Sequence, residues 1–159
     1  MTTAPVIVIG SGLAGLMSAL SVASHPVLLV TAGTLGLAGS SPLAQGGIAA
    51  ALGIDDSAAL HIADTLAAGD GLCDPTVTAH IIEAAPQAIA TLEEYGVRFD
   101  RKPDGTYSLG LEAAHARHRI AHVDGDATGA GIMRALIARV LATPSITVRE
   151  HTKALRLIT

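Results

Sequence analysis

The stretch "VIVIGSGLAGLMSALSVASHPVLLV", Val6 to Val30, decides the fold. Val6 to Ile9 is a β-branched run between Pro5 and Gly10, the pattern of a strand buried on both faces. Leu13, Leu16, Met17 and Leu20 recur at helical spacing over Leu13 to Ser24, and His25-Pro26 closes that helix. Val27 to Val30 is a second apolar run. Strand, helix and strand together predict a right-handed βαβ unit with parallel strands. Between the first strand and the helix stands Gly10-Ser11-Gly12-Leu13-Ala14-Gly15. A GxGxxG is weak alone, but here it has the strand before it and the helix after it that a dinucleotide-binding turn requires. Gly10 permits the tight turn, Gly12 lets the backbone approach a pyrophosphate, and Gly15 lets the helix pack on the strand. N–H groups at the helix start then hold the pyrophosphate, where the helix dipole favours negative charge. The competing reading is a glycine-rich turn that only packs.

The second strand runs out into Val30-Thr31-Ala32-Gly33. It lacks the Asp or Glu that holds ribose hydroxyls in ordinary NAD binding, and Thr31 offers only a hydroxyl. A flavin dinucleotide held partly by other segments fits better. One such segment is "SSPLAQGGIAAAL", Ser40 to Leu52. Gly46 and Gly47 remove side chains where the backbone can touch a flat ring or a phosphate. Ser40, Ser41 and Gln45 bring donors and acceptors. The apolar run after Gly47 predicts a helix entering the core, so a glycine-rich loop leading into a helix is the plain alternative.

Further along, Asp55, Asp56 or Ser57 is placed to cap a helix toward Ala68, stopped by Gly69 and Gly71. Asp74-Pro75 opens another helix, which Pro86 is expected to break or kink near Ala85 before Gly96 ends it. "FDRKPDGTYSL", 99–109, predicts a hairpin around Pro-Asp-Gly. Gly129 to Leu141 predicts a helix, with Asp126 or Thr128 as its cap. "ITVRE" (146–150) and "ALRLIT" (154–159) alternate like strands. The predicted class is α/β: a Rossmann-like βαβ over about 5–31, a loop and helical insertion over about 36–98, a segment over about 99–128, then a helix and returning strands over about 129–159. The last strand-like stretch has no closing helix, which predicts an N-terminal part of a larger protein.

Composition narrows the function. Hydrophobic residues make up 50% of the 159, mean hydropathy is +0.49, and aromatics are 2%. The core must be built from Ala, Leu, Ile and Val, and such an apolar chain is expected to bury surface against something outside it. Net charge is -4, which is no footprint for nucleic acid or for an anionic membrane. One cysteine, Cys73, excludes an intramolecular disulfide and fits a reducing compartment; its flanks Leu72 and Asp74 offer no cation to activate a thiolate. "MTTAPVIVIG" has no basic n-region, so a cytoplasmic protein is expected.

Read together and in order, the GSGLAG turn, "SSPLAQGGIAAAL", "DDSAALHIADTLAAGDGLCD", "GVRFDR", "LEAAHARHRIAH" and "GDATG" resemble the L-aspartate oxidases. These belong to the fumarate reductase/succinate dehydrogenase flavoproteins. The resemblance covers essentially the whole chain, and several motifs in series are far more specific than any one. It implies an FAD-dependent oxidoreductase that converts L-aspartate to iminoaspartate by hydride transfer to the flavin. Oxygen or fumarate would reoxidise the flavin, and quinolinate synthase would take the product into NAD biosynthesis. It implies that Gly10, Ser11, Gly12, Leu13, Ala14 and Gly15 line the pyrophosphate. A second FAD-contacting loop would comprise Ser40, Ser41, Pro42, Leu43, Ala44, Gln45, Gly46 and Gly47. Covalently flavinylated relatives carry a histidine just before the Ala-Gln-Gly-Gly; Ser40 to Leu43 contain none, so noncovalent FAD is expected. Ala32 stands where the family often has a lysine.

The resemblance also assigns Glu112, with His115 beside it, to orienting the substrate's amino group; a carboxylate pairing with an α-ammonium favours aspartate over succinate. A surface glutamate is the alternative. In "HARHRIAH", His115, His118 and His122 could share a helical face as a metal trio, but the interleaved Arg117 and Arg119 repel a cation, so no metal is expected. A basic patch facing a dicarboxylate or flavin phosphate and an ordinary solvated basic face both remain open. The family's general acid/base arginine is expected beyond Thr159, so residues 1–159 alone are expected to be inactive. The other readings are a succinate- or fumarate-specific flavoprotein and a noncatalytic flavin- or nucleotide-binding module.

Overall fold

The computed structural model describes residues 4–37, 39–156 and 158. It divides into two units, one made of the residues up to Ala44 together with those from Gly129 on, the other of Gln45–Thr128.

The first unit carries a parallel sheet in the order β1-β2-β6, built from β1 (Val6–Ile9), β2 (Val27–Val30) and β6 (Ile146–Arg149). Val6 pairs with Val27, and Val27 with Ile146. β2 takes the centre because Val27, Leu29 and Val30 are all buried there. Helix α1 (Leu13–Ser21) returns the chain from β1 to β2 and buries Leu16, Ala19 and Leu20. Its end precedes the expected Ser24 by three residues, since Val22 already caps it. Helix α4 (Thr128–Leu141) leads into β6, with Ile132, Met133, Leu136 and Val140 buried at helical spacing. Sequence reasoning expected Asp126 or Thr128 to cap α4. Thr128 is instead its first residue, and its buried hydroxyl accepts the Val123 N–H at 3.1 Å. The second expected strand, 154–159, is absent among its described residues, which are exposed and find no partner to pair with; Leu157 and Thr159 lie outside the described residues.

The second unit contains α2 (Ala58–Ala68), α3 (Pro75–Glu94) and a small antiparallel sheet, order β3-β5-β4, of β3 (Ile48–Ala49), β4 (Leu109–Gly110) and β5 (Ile120–Ala121). The helix expected after Gly47 is thus a strand: Ile48 pairs with Ala121 and Ala49 with Ile120. Five apolar residues are too few to nucleate a stable helix, and pairing satisfies their backbone instead. Ser57 caps α2 by accepting the Leu60 N–H, and Asp74 caps α3 by accepting that of Val77. Pro86 does not break α3, which runs unbroken through it for 20 residues. Ile82, Ile89 and Leu92 are buried on both sides of the proline, so one packed face offsets the lost N–H bond. The expected hairpin forms an isolated bridge, Arg101 to Tyr107. Arg101 and the Tyr107 hydroxyl both donate to Glu93 near the end of α3, at 2.6 and 2.7 Å.

Candidate functional site

In the first unit the glycine turn is shaped by contact between its own ends. Gly10 sits at φ +106, and a Cβ on Gly15 would strike the Gly10 carbonyl. Gly12 caps α1 with extended backbone and no side-chain bond, and the first turn holds no acid. The positive end of the helix therefore has no anion of its own, which leaves it fit for an external phosphate. The Leu13 N–H reaches Ser41 Oγ at 3.2 Å, tying the turn to the 3-10 turn Ser41–Leu43. Gly129, early in α4, lies against the same segment: its N–H donates to the Ala44 carbonyl at 2.9 Å, and a Cβ there would meet the Ser41 carbonyl.

Ser11 faces inward. Its hydroxyl lies 2.8 Å from that of Thr31 and accepts the Gly36 N–H at 3.1 Å. Thr31, only 4% exposed, is thereby committed to the fold and not free for a ribose. The segment after β2 does have a carboxylate beside it, one the sequence hid: Glu150, just past β6, accepts the Leu35 N–H. Only the β2–β6 register brings it there. Ala14, Ala32, Ser40, Leu43 and Ala44 are exposed, and Pro42 is half-buried.

In the second unit, Gln45 and Gly46 are exposed, and a Cβ on Gly46 would meet nothing. Gly47 is backed closely by Ile120, Ala121 and His122 of β5 and its end. Glu112 lies on the loop after β4, its side chain 54% exposed, with Oε1 3.7 Å from His122 Nε2.

His115, His118 and His122 share no helical face, because residues 111–119 are loop and 120–121 are strand. Among the described residues no cluster of metal-ligating groups forms. Nor is Arg119 part of an outward basic patch. It is fully buried, and its fork grips both Asp56 oxygens at 2.9 Å while Nη1 donates to Asp64 at 2.8 Å. Asp64 also accepts the Ala116 N–H at 2.8 Å; that bond, then Arg119, holds its carboxyl below the usual range. His115 stands in this group, Nδ1 3.3 Å from Arg119 and its ring 5.4 Å from that of His61. The two residues expected to orient a substrate thus have different neighbours. Burial, then the charges of Arg119 and His115, lowers the His61 pKa, and its buried Nδ1 has no hydrogen-bond partner among the described residues. Arg117 is half-exposed and donates to the Asp55 carbonyl at 3.3 Å.

Comparison with known proteins decides the family. Residues 5–159 match the FAD binding domain family. The chain belongs to that family. Among relatives of this FAD-binding chain, L-aspartate oxidase of Agrobacterium fabrum is 60% identical over 96% of the chain. That of Mesorhizobium japonicum is 56% identical over 98%. The chain spans 29% and 30% of these relatives' lengths. Among solved structures, an E. coli quinol fumarate reductase superposes with a TM-score of 0.86 at 27% identity, over 93% of this chain and 26% of that one. A Mycobacterium smegmatis Sdh1 complex gives 0.85 at 32% identity, over 92% and 27%. These neighbours and the parallel sheet make the fold α/β, and the cofactor of the family is FAD. Among the described residues no helix is long and apolar enough to cross a membrane.

Proposed function

We propose that this chain is the first FAD-contacting part of an FAD-dependent L-aspartate oxidase. The observation that carries the reading is Glu112: a carboxylate half-open to solvent on the loop after β4, available to an α-ammonium group. The identity to L-aspartate oxidases along nearly the whole chain supports it. When bound, FAD supplies the ring that accepts a hydride from the substrate.

The chain's own residues bind and orient. Within Gly10 to Gly15 the Gly10 N–H is taken by the Val30 carbonyl and that of Leu13 by Ser41 Oγ, so the other N–H groups at the start of α1 bind the pyrophosphate. Ser40 to Gly47 form a second wall with no histidine to bond the flavin covalently, so FAD is held noncovalently. Ala32 brings no charge to the ribose side. Glu112 takes the substrate's amino group, while His115 holds the loop through Arg119. The product is iminoaspartate, the electron acceptor oxygen or fumarate, and the consumer a quinolinate synthase of cytoplasmic NAD biosynthesis.

The test is to assay the full polypeptide, loaded with FAD, on L-aspartate and on succinate. Oxidation of aspartate, with Glu112→Gln raising the KM for aspartate about tenfold, is the expected result. Oxidation of succinate alone would favour the second reading, a fumarate reductase-like flavoprotein, which the structural neighbours support.

A further inference from the structure

We infer that His122 is a positioning residue that aims Glu112 at the substrate's amino group and so helps set the preference for an amino acid over a plain dicarboxylate. The inference rests on the role proposed for Glu112.

The backbone around His122 is pinned on both sides. Its carbonyl accepts the Asp100 N–H at 2.9 Å, and the next N–H, of Val123, donates to the buried Thr128 hydroxyl at 3.1 Å. The ring is pinned as well. A Cβ on Gly110 would stand 2.7 Å from His122 Cε1, and one on Gly47 would stand 3.0 Å from Cδ2. Real Cβ atoms essentially never come as close as the first, and seldom as close as the second. Gly110, in β4, thus clears the space that the imidazole fills, while Gly47, before β3, borders the ring and has β5 still closer on its other side. Cε1 and Cδ2 are the two carbons bonded to Nε2. The glycines therefore flank the nitrogen that faces Glu112.

Exposure divides the pair into a fixed and a movable partner. The His122 side chain is 23% exposed and that of Glu112 is 54%. At 3.7 Å their N···O distance lies outside hydrogen-bond length. A small swing of the exposed glutamate closes it, as such contacts commonly tighten when substrate arrives. With one carboxylate oxygen held by His122, the other is presented to the ammonium in a single orientation. Fumarate has no amino group and makes no use of this arrangement.

The test uses the full-length FAD-loaded polypeptide and reads two reactions, L-aspartate oxidation and fumarate reduction by a reduced dye. His122→Leu fills the space but removes the donor. The ratio of aspartate oxidation to fumarate reduction should fall about tenfold, through a higher KM for aspartate. His122→Gln, which restores an N–H donor, should recover most of that ratio. Gly110→Ala, which displaces the ring without removing it, should lower the ratio and serves if His122→Leu fails to load FAD. An equal loss in both reactions, or no rescue by glutamine, would mean that His122 only packs. If Glu112→Gln raises the KM for aspartate and the His122 and Gly110 variants do not, the inference alone fails. If Glu112→Gln changes nothing, the role of Glu112 fails first.

Discussion

Arg119 shows what a single residue can hide. In sequence it is one of two arginines in a basic, histidine-rich run. In the structure it is fully buried, and its acidic partners Asp56 and Asp64 lie 63 and 55 positions away. Nothing local in a sequence announces such a pairing. Removing one side of a buried ion pair leaves the other charge without compensation, which typically costs about 3–5 kcal/mol. Arg119→Met should therefore lower the thermal unfolding midpoint sharply, and Arg119→Lys should recover part of the loss without restoring the fork to Asp56. A midpoint unchanged by Arg119→Met would show that the two aspartates are solvated after all. Gly15 is the opposite case. Its need for the absence of a side chain was legible at once, because the atom it would strike belongs to Gly10, five residues earlier.

At the scale of elements, the caps and stops of α2 and α3 were legible for the same reason: each depends on residues within a turn. Ser57 and Asp74 accept N–H groups three positions on. The two-residue strands were not legible, since β3 exists only because Ala121 and Ile120 are brought opposite to it. Pro86 misled by the same route. The local rule says that a proline ends a helix; the buried face of Ile82, Ile89 and Leu92 overrides it. That override is measurable. Pro86→Ala restores a backbone donor inside a helix that already continues, and should stabilise the protein by about 1–3 kcal/mol in denaturant titrations, less whatever the freer unfolded chain gains. Loss of stability would mean that the ring itself packs usefully. The candidate site was legible in part: the glycine turn could be placed from its own context, whereas Glu150 beside Leu35 and His122 beside Glu112 required the strand registers.

At the scale of the whole molecule, the second unit should be the acid-sensitive one. Burial holds His61 below its ordinary 6.5, and the Ala116 N–H and Arg119 hold Asp64 below its ordinary 3.8. Both groups bind a proton more readily once unfolded, so unfolding takes up protons and stability falls with pH. The His61 contribution is fully present above pH 6.5 and drains away below it; that of Asp64 begins to drain only below 3.8. Thermal unfolding followed from pH 7 to pH 5 should show a falling midpoint, with His61 adding at most about 1.4 kcal/mol per pH unit. His61→Leu should flatten that slope. An equal slope in the variant would assign the effect to other histidines.

The first unit is discontinuous along the chain, and this gives its synthesis a timetable. β2 finds β1 within moments of emerging from the ribosome, but its other edge waits for β6, whose last residue Arg149 pairs with Val30. At ordinary elongation rates that wait is on the order of ten seconds. Throughout it a strand of Val27, Leu28, Leu29 and Val30 presents an unpaired rim to solvent. That edge stays open to a foreign strand until translation has passed Arg149.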